Sequence, residues 1–181
     1  MCAALEAGYR GIDTAAVYRF DLDGDILDVI MYHRMSNINI IHPTGYVVLV
    51  PRNHKTIADT LRETLPKLGL ERRDLFITSK LGPKDHGGEK CQAAIDRALE
   101  ELETDYLDLF LIHWPGVQGV DVTSSTNAKL REESWRTLEE NFKIGKLRSI
   151  GVSNYTRDHL HQLLETCQVV PHVLQVELHP K

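Results

Sequence analysis

Tyr106-Leu107-Asp108-Leu109-Phe110-Leu111-Ile112-His113-Trp114 is a nearly continuous apolar run in the middle of the chain. A strand with one wet face alternates apolar and polar residues, whereas one buried on both faces of a parallel sheet is hydrophobic throughout. The flanking sequence fits the second case. Leu75-Phe76-Ile77-Thr78 is a compact β-rich run. Glu89 to Glu103 sets Cys91, Ile95, Ala98, Leu99 and Leu102 on one face, with Arg97 and acids opposite, which predicts an amphipathic helix. Glu132 to Asn141 reads as a helix that Gly145 ends. Ser149 to Ser153 is a short strand, Thr156 N-caps a helix carrying Leu160, Leu163 and Leu164, and Val173 to His179 is a last strand. At the other end, Ala3 to Ala7 ends a helix at Gly8, and Tyr9 to Thr14 begins a strand. This repetition predicts an α/β fold with parallel strands, either a (β/α) barrel or a doubly wound sheet; the pattern alone leaves both open.

The whole chain is 181 residues, 42% hydrophobic and 26% charged, which predicts one globular domain. A net charge of −5 gives no basic footprint for nucleic acid or an anionic membrane. No stretch approaches the ~18 apolar residues of a membrane span. The start, Met1 to Glu6, lacks the basic n-region of a signal peptide. Cys2, Cys91 and Cys167 are odd in number and scattered, so neither a disulfide framework nor a CxxC metal pair is predicted. These features predict a reduced, cytoplasmic chain.

One segment breaks the rhythm. Phe20 to Arg52 is 33 residues without Ala, Lys or Glu, types that occur 32 times in the other 148 residues. Excising it joins Tyr18-Arg19 to Asn53 without a seam, so the segment reads as an insertion within a single domain spanning 1–181; an ordinary long loop is the alternative.

Asp13 with Tyr18, Lys80 and His113 fall at or just beyond the carboxyl ends of predicted strands, where βα loops converge in parallel α/β folds. A Lys at the end of an apolar strand is costly unless paired, and Asp13 would offset that cost. A lysine near a phenol would lower the Tyr pKa from about 10 and suit it to proton transfer. Each could equally be a satisfied boundary residue. On the last strand Gln175, Glu177 and His179 share one face, and Gln175 could supply a bidentate amide, as could Ser153-Asn154. No metal is predicted. Asp21, Asp23 and Asp25 mimic an EF-hand opening, but Ile26 replaces its Gly and Tyr32 its closing Glu. His159 and His161, two apart, do not share a helix face. Gly82 to Gly88 matches neither P-loop nor GxGxxG spacing, so a nicotinamide cofactor would need another binding scheme.

The runs ALEAGYRGIDTAAVY (4–18), DLFITSKLGPKDHG (74–87), DYLDLFLIHWPG (105–116), IGVSNY (150–155) and QVELHP (175–180) resemble the aldo-keto reductases in order and spacing. The resemblance implies a (β/α)₈ TIM-type barrel that binds extended NADPH and reduces aldehydes and ketones. By it, Tyr18 is the general acid and Lys80, paired with Asp13, depresses its pKa. His113 orients the small-molecule carbonyl substrate, and Ser153, Asn154 and Gln175 hold the nicotinamide carboxamide.

Against the family pattern, the chain starts inside the first helix, stops after the sixth strand, and supplies about five of eight strands. The segments that stack on nicotinamide and grip the NADPH phosphates lie in the part not matched. An arc of five strands is expected to leave two unpaired edges, and the oligomeric state stays open. The expected function is NADPH-dependent carbonyl reduction; the alternative is a silent, truncated splice product of such a gene.

Overall fold

The computed structural model describes residues 5–8, 10–13, 30–34, 46–48 and 54–177. The strands are β1 (Gly11–Asp13), β2 (Ile30–Arg34), β3 (Tyr46–Val48), β4 (Phe76–Leu81), β5 (Leu109–Ile112), β6 (Ile150–Ser153) and β7 (Val173–Glu177). The helices are α1 (His54–Leu68), α2 (Gly88–Glu101), α3 (Thr126–Lys143) and α4 (Arg157–Thr166). None of the described helices is long and apolar enough to cross a membrane.

The sheet order is β2-β7-β6-β5-β4-β1-β3, so β1, β4, β5, β6 and β7 form a parallel run in chain order. Ile12, Ile77, Leu81, Phe110, Ile112, Ile150 and Val152 take one face and merge with Ile57, Ile95, Trp135, Leu138 and Leu163 of the helices into a single core. The helices therefore lie on one side of the sheet. The other face curls inward until Gln175 of β7 reaches Asp13 of β1. A doubly wound sheet would carry helices on both faces and a reversal of strand order. The fold is a partial (β/α)₈ barrel with five of its parallel strands.

Several boundaries differ from the sequence expectation. The apolar run at 106–114 pairs as a strand only from Leu109. Asp108 instead turns to accept the Ile77 amide and ion pairs with Arg72 at 2.9 Å and Arg148 at 3.4 Å. Strand β4 runs on to Leu81, which puts Lys80 inside it. Helix α3 starts at Thr126 because Asn127 fastens the turn before it, donating to Asp121 O and Ser124 O and accepting from Val117 N. Thr156 does N-cap α4, in a reciprocal box with His159.

The expectation that the five-strand arc ends on bare β1 and β7 is corrected, and β2 and β3 become the outer strands. Strand β2 pairs antiparallel along β7, and β3 pairs parallel along β1. Both come from the compositionally distinct 20–52 segment, whose Ile- and Val-rich runs suit extended pairing. An edge presents unpaired N–H and C=O groups, and an available extended segment satisfies them. The Asp21-Asp23-Asp25 run lies outside the described residues.

Candidate active site

Alternation along the strands sends every second side chain to the concave face. Because Ile12, Ile77, Phe110, Ile112 and Val152 go to the helices, their neighbours Asp13, Thr78, Lys80, Leu109, Leu111 and Ser153 point into the barrel. His113, Asn154 and Gln175 join them at the carboxyl ends.

Lys80 Nζ lies 2.9 Å from Asp13 Oδ1 and 3.0 Å from Oδ2, with 0% and 1% of the two side chains exposed. A buried charge is tolerated only when paired and hydrogen-bonded, and this carboxylate spans the ammonium with both oxygens. Gln175 Nε2 donates to Asp13 Oδ2 at 3.1 Å, and Gln175 Oε1 faces Ser153 Oγ at 3.5 Å. Asn154 Nδ2 lies 3.1 Å from Ser153 Oγ and donates to the His113 carbonyl at 2.9 Å. The circuit Lys80–Asp13–Gln175–Ser153–Asn154–His113 thus visits all five strands of the run β1-β4-β5-β6-β7 or their ends.

Burial, reinforced by the positive charge of Lys80, pushes the His113 imidazole down to about 4. The ring is neutral near pH 7 and can donate or accept a hydrogen bond without bringing charge. Asn154 adopts φ 59°, a left-handed conformation that Asn tolerates better than most residues, and it turns the chain sharply off β6.

The structure thus brings together Asp13, Lys80, His113, Ser153, Asn154 and Gln175. Tyr18, His179 and the side chain of Glu177 lie outside the described residues. Two contributors escaped the sequence reading. Gly151 occupies the concave layer where a Cβ would stand 2.5 Å from Val173 O and 2.8 Å from Leu111 Cδ2, a constraint that glycine within a strand signals. His86, met only as part of a glycine-containing loop, bonds the carbonyl of Trp114 at 3.0 Å.

The Aldo/keto reductase family model matches residues 1–181. The chain is 36% identical over 179 residues to the glyoxal reductase of Bacillus subtilis, covering 99% of this chain and 48% of that protein. It is 39% identical over 191 residues to the D/L-glyceraldehyde reductase of Hypocrea jecorina, covering 98% and 47%. An aldo-keto reductase of the silkworm Bombyx mori, solved with NADPH, superposes with a TM-score of 0.69 at 28% identity, covering 98% of this chain and 43% of that one. The chain spans about half the length of the curated relatives it matches. Taken with a half-barrel whose polar circuit lies at the carboxyl ends of its strands, the family match over the whole chain places this protein in the aldo/keto reductase family.

Proposed function

We propose that this chain carries the proton-transfer and carboxamide-binding half of an NADPH-dependent reductase of small aldehydes or ketones. The observation that carries the reading is the dry Lys80–Asp13 pair inside the barrel, linked through Gln175 to Ser153 and Asn154. Tyr18, five residues beyond Asp13 in sequence, gives its proton to the substrate carbonyl oxygen. The ammonium of Lys80 favours the phenolate left behind. Neutral His113 orients the carbonyl. The donor set fits a carboxamide, which needs both donors and acceptors: a hydroxyl and two primary amides converge at Ser153, Asn154 and Gln175. When bound, NADPH supplies the hydride that reduces the carbonyl carbon, and the alcohol leaves with the Tyr18 proton on oxygen.

The names of the relatives, a glyoxal and a glyceraldehyde reductase, support small polar aldehydes as the substrate class, and carbonyl reduction over the silent alternative. In this reading 1–181 is a single incomplete barrel domain interrupted by 20–52. Its acidic composition and scattered cysteines suit the cytoplasm.

The test is loss of NADPH absorbance with glyoxal or glyceraldehyde. Tyr18→Phe is expected to lower turnover by about 10²–10⁴-fold, the usual worth of a positioned general acid, and to leave NADPH binding intact. A Phe variant that oxidises NADPH as fast as the parent overturns the assignment.

A further inference from the structure

Where the chain leaves β5, its carbonyls lose their ladder partners and must find others. Three successive carbonyls do so on side chains from three different elements. His113 O accepts from Asn154 Nδ2 at 2.9 Å, Trp114 O from His86 Nε2 at 3.0 Å, and Pro115 O from an Arg131 guanidinium nitrogen at 3.0 Å. Asn154 follows β6, His86 follows β4, and Arg131 lies in α3. The strap 113–115 is therefore tied at every residue, although Trp114 is 49% exposed.

His86 holds the middle tie and is itself 2% exposed. To bond a carbonyl its Nε2 must carry hydrogen. Its Nδ1 faces Ser134 Oγ at 3.4 Å. Ser134 Oγ accepts from Gly87 N at 2.9 Å and has one hydrogen to share between Leu130 O at 2.7 Å and His86 Nδ1, so the ring packs against α3. Burial holds its pKa below the ordinary value, with Arg131 and Asp85 the charged groups that act on the ring in opposite directions.

We propose that His86 is a positioning residue for carbonyl reduction, fixing through the Trp114 carbonyl the strap that presents His113 to the barrel interior. This inference rests on the reading of His113 given above, but its test needs neither cofactor nor substrate, so the two fail separately.

The readout is the NMR titration of the His113 imidazole, identified by its loss in His113→Gln. A strap released from His86 admits water beside His113, whose depression to about 4 depends first on burial, and the ring moves back toward 6.5. His86→Leu removes the tie. His86→Gln places an amide nitrogen within reach of the position of Nε2 and keeps it. Neither variant carries charge at residue 86, so their difference reports the hydrogen bond. The expected result is a rise of about one unit in His86→Leu and under about 0.3 unit in His86→Gln, where one unit is a tenfold change in protonation equilibrium. Should His86→Leu not fold, His86→Asn, whose shorter amide cannot reach Trp114 O, replaces it. An unchanged His113 titration in the variant lacking the tie, or an equal rise in His86→Gln, overturns the proposal; generalised destabilisation would lower the melting temperature without separating the two variants.

Discussion

Gln175 Nε2 donates to Asp13 Oδ2 at 3.1 Å, joining the last strand of the parallel run to its first across 162 residues. In the sheet these strands are four pairings apart, which in a flat sheet would separate them by about 19 Å at ~4.8 Å per strand. Only a curled sheet brings two side chains of ordinary length together. The contact is thus both the signature of the barrel curvature and the link between the charged pair and the amide donors.

That link is measurable in a double-mutant cycle. Gln175→Leu alone should cost about 1.5–3 kcal/mol, the range for a hydrogen bond to a charged partner, and its cost should shrink in an Asp13→Asn background. Urea unfolding of the four proteins supplies the coupling energy. Full additivity would mean that the two strand ends do not meet in solution.

The parallel α/β pattern was legible because the run around Phe110 is apolar on both faces and the helices keep a clean 3.6-residue period. The choice of a barrel was not, since curvature depends on contacts such as Asp13–Gln175 that no local pattern encodes; resemblance to a family supplied it. Individual site residues were legible as polar groups at strand ends. Their connection was not, because Lys80, Asp13, Gln175 and Ser153 come from four separate strands. Asp108 misled the strand boundary: one acid in an apolar run is a weak break signal until Arg72 and Arg148 are seen to claim it. The edge roles of β2 and β3 were invisible for the same reason, since pairing partners of an extended segment lie far away in sequence.

Acid should weaken the fold before the carboxylates titrate. Burial is the first cause holding His54, His86 and His113 below the ordinary 6.5, to about 4 for His113. Below pH 6.5 the unfolded chain takes up protons that the folded chain refuses. The stability present above that pH is therefore lost as pH falls toward the folded values. For His113 the loss is on the order of 3 kcal/mol. Denaturant midpoints measured from about pH 7 down to about pH 4 should fall, and His113→Gln should fall less steeply. Parallel slopes for parent and variant would show that His113 does not carry the acid sensitivity.

Removing residues 20–52 should expose the β1 and β7 edges that β3 and β2 now pair. The ladder hydrogen bonds of β2 and β3 go with them while the sheet keeps two edges, so the deletion is expected to melt at a lower temperature than the parent. A deletion variant with an unchanged melting temperature would show that the two strands contribute nothing to the stability of the sheet.

The proposed nicotinamide site of the half-barrel is tested most directly by thermal unfolding of the purified chain with and without saturating NADPH. At about 100 times the dissociation constant, a ligand that binds only the folded state adds roughly 2.7 kcal/mol. One cooperative transition that moves upward with NADPH is expected, with a smaller shift in Gln175→Leu. A cooperative transition that ignores NADPH would contradict the proposal, leaving a folded member of the family without the site its residues describe.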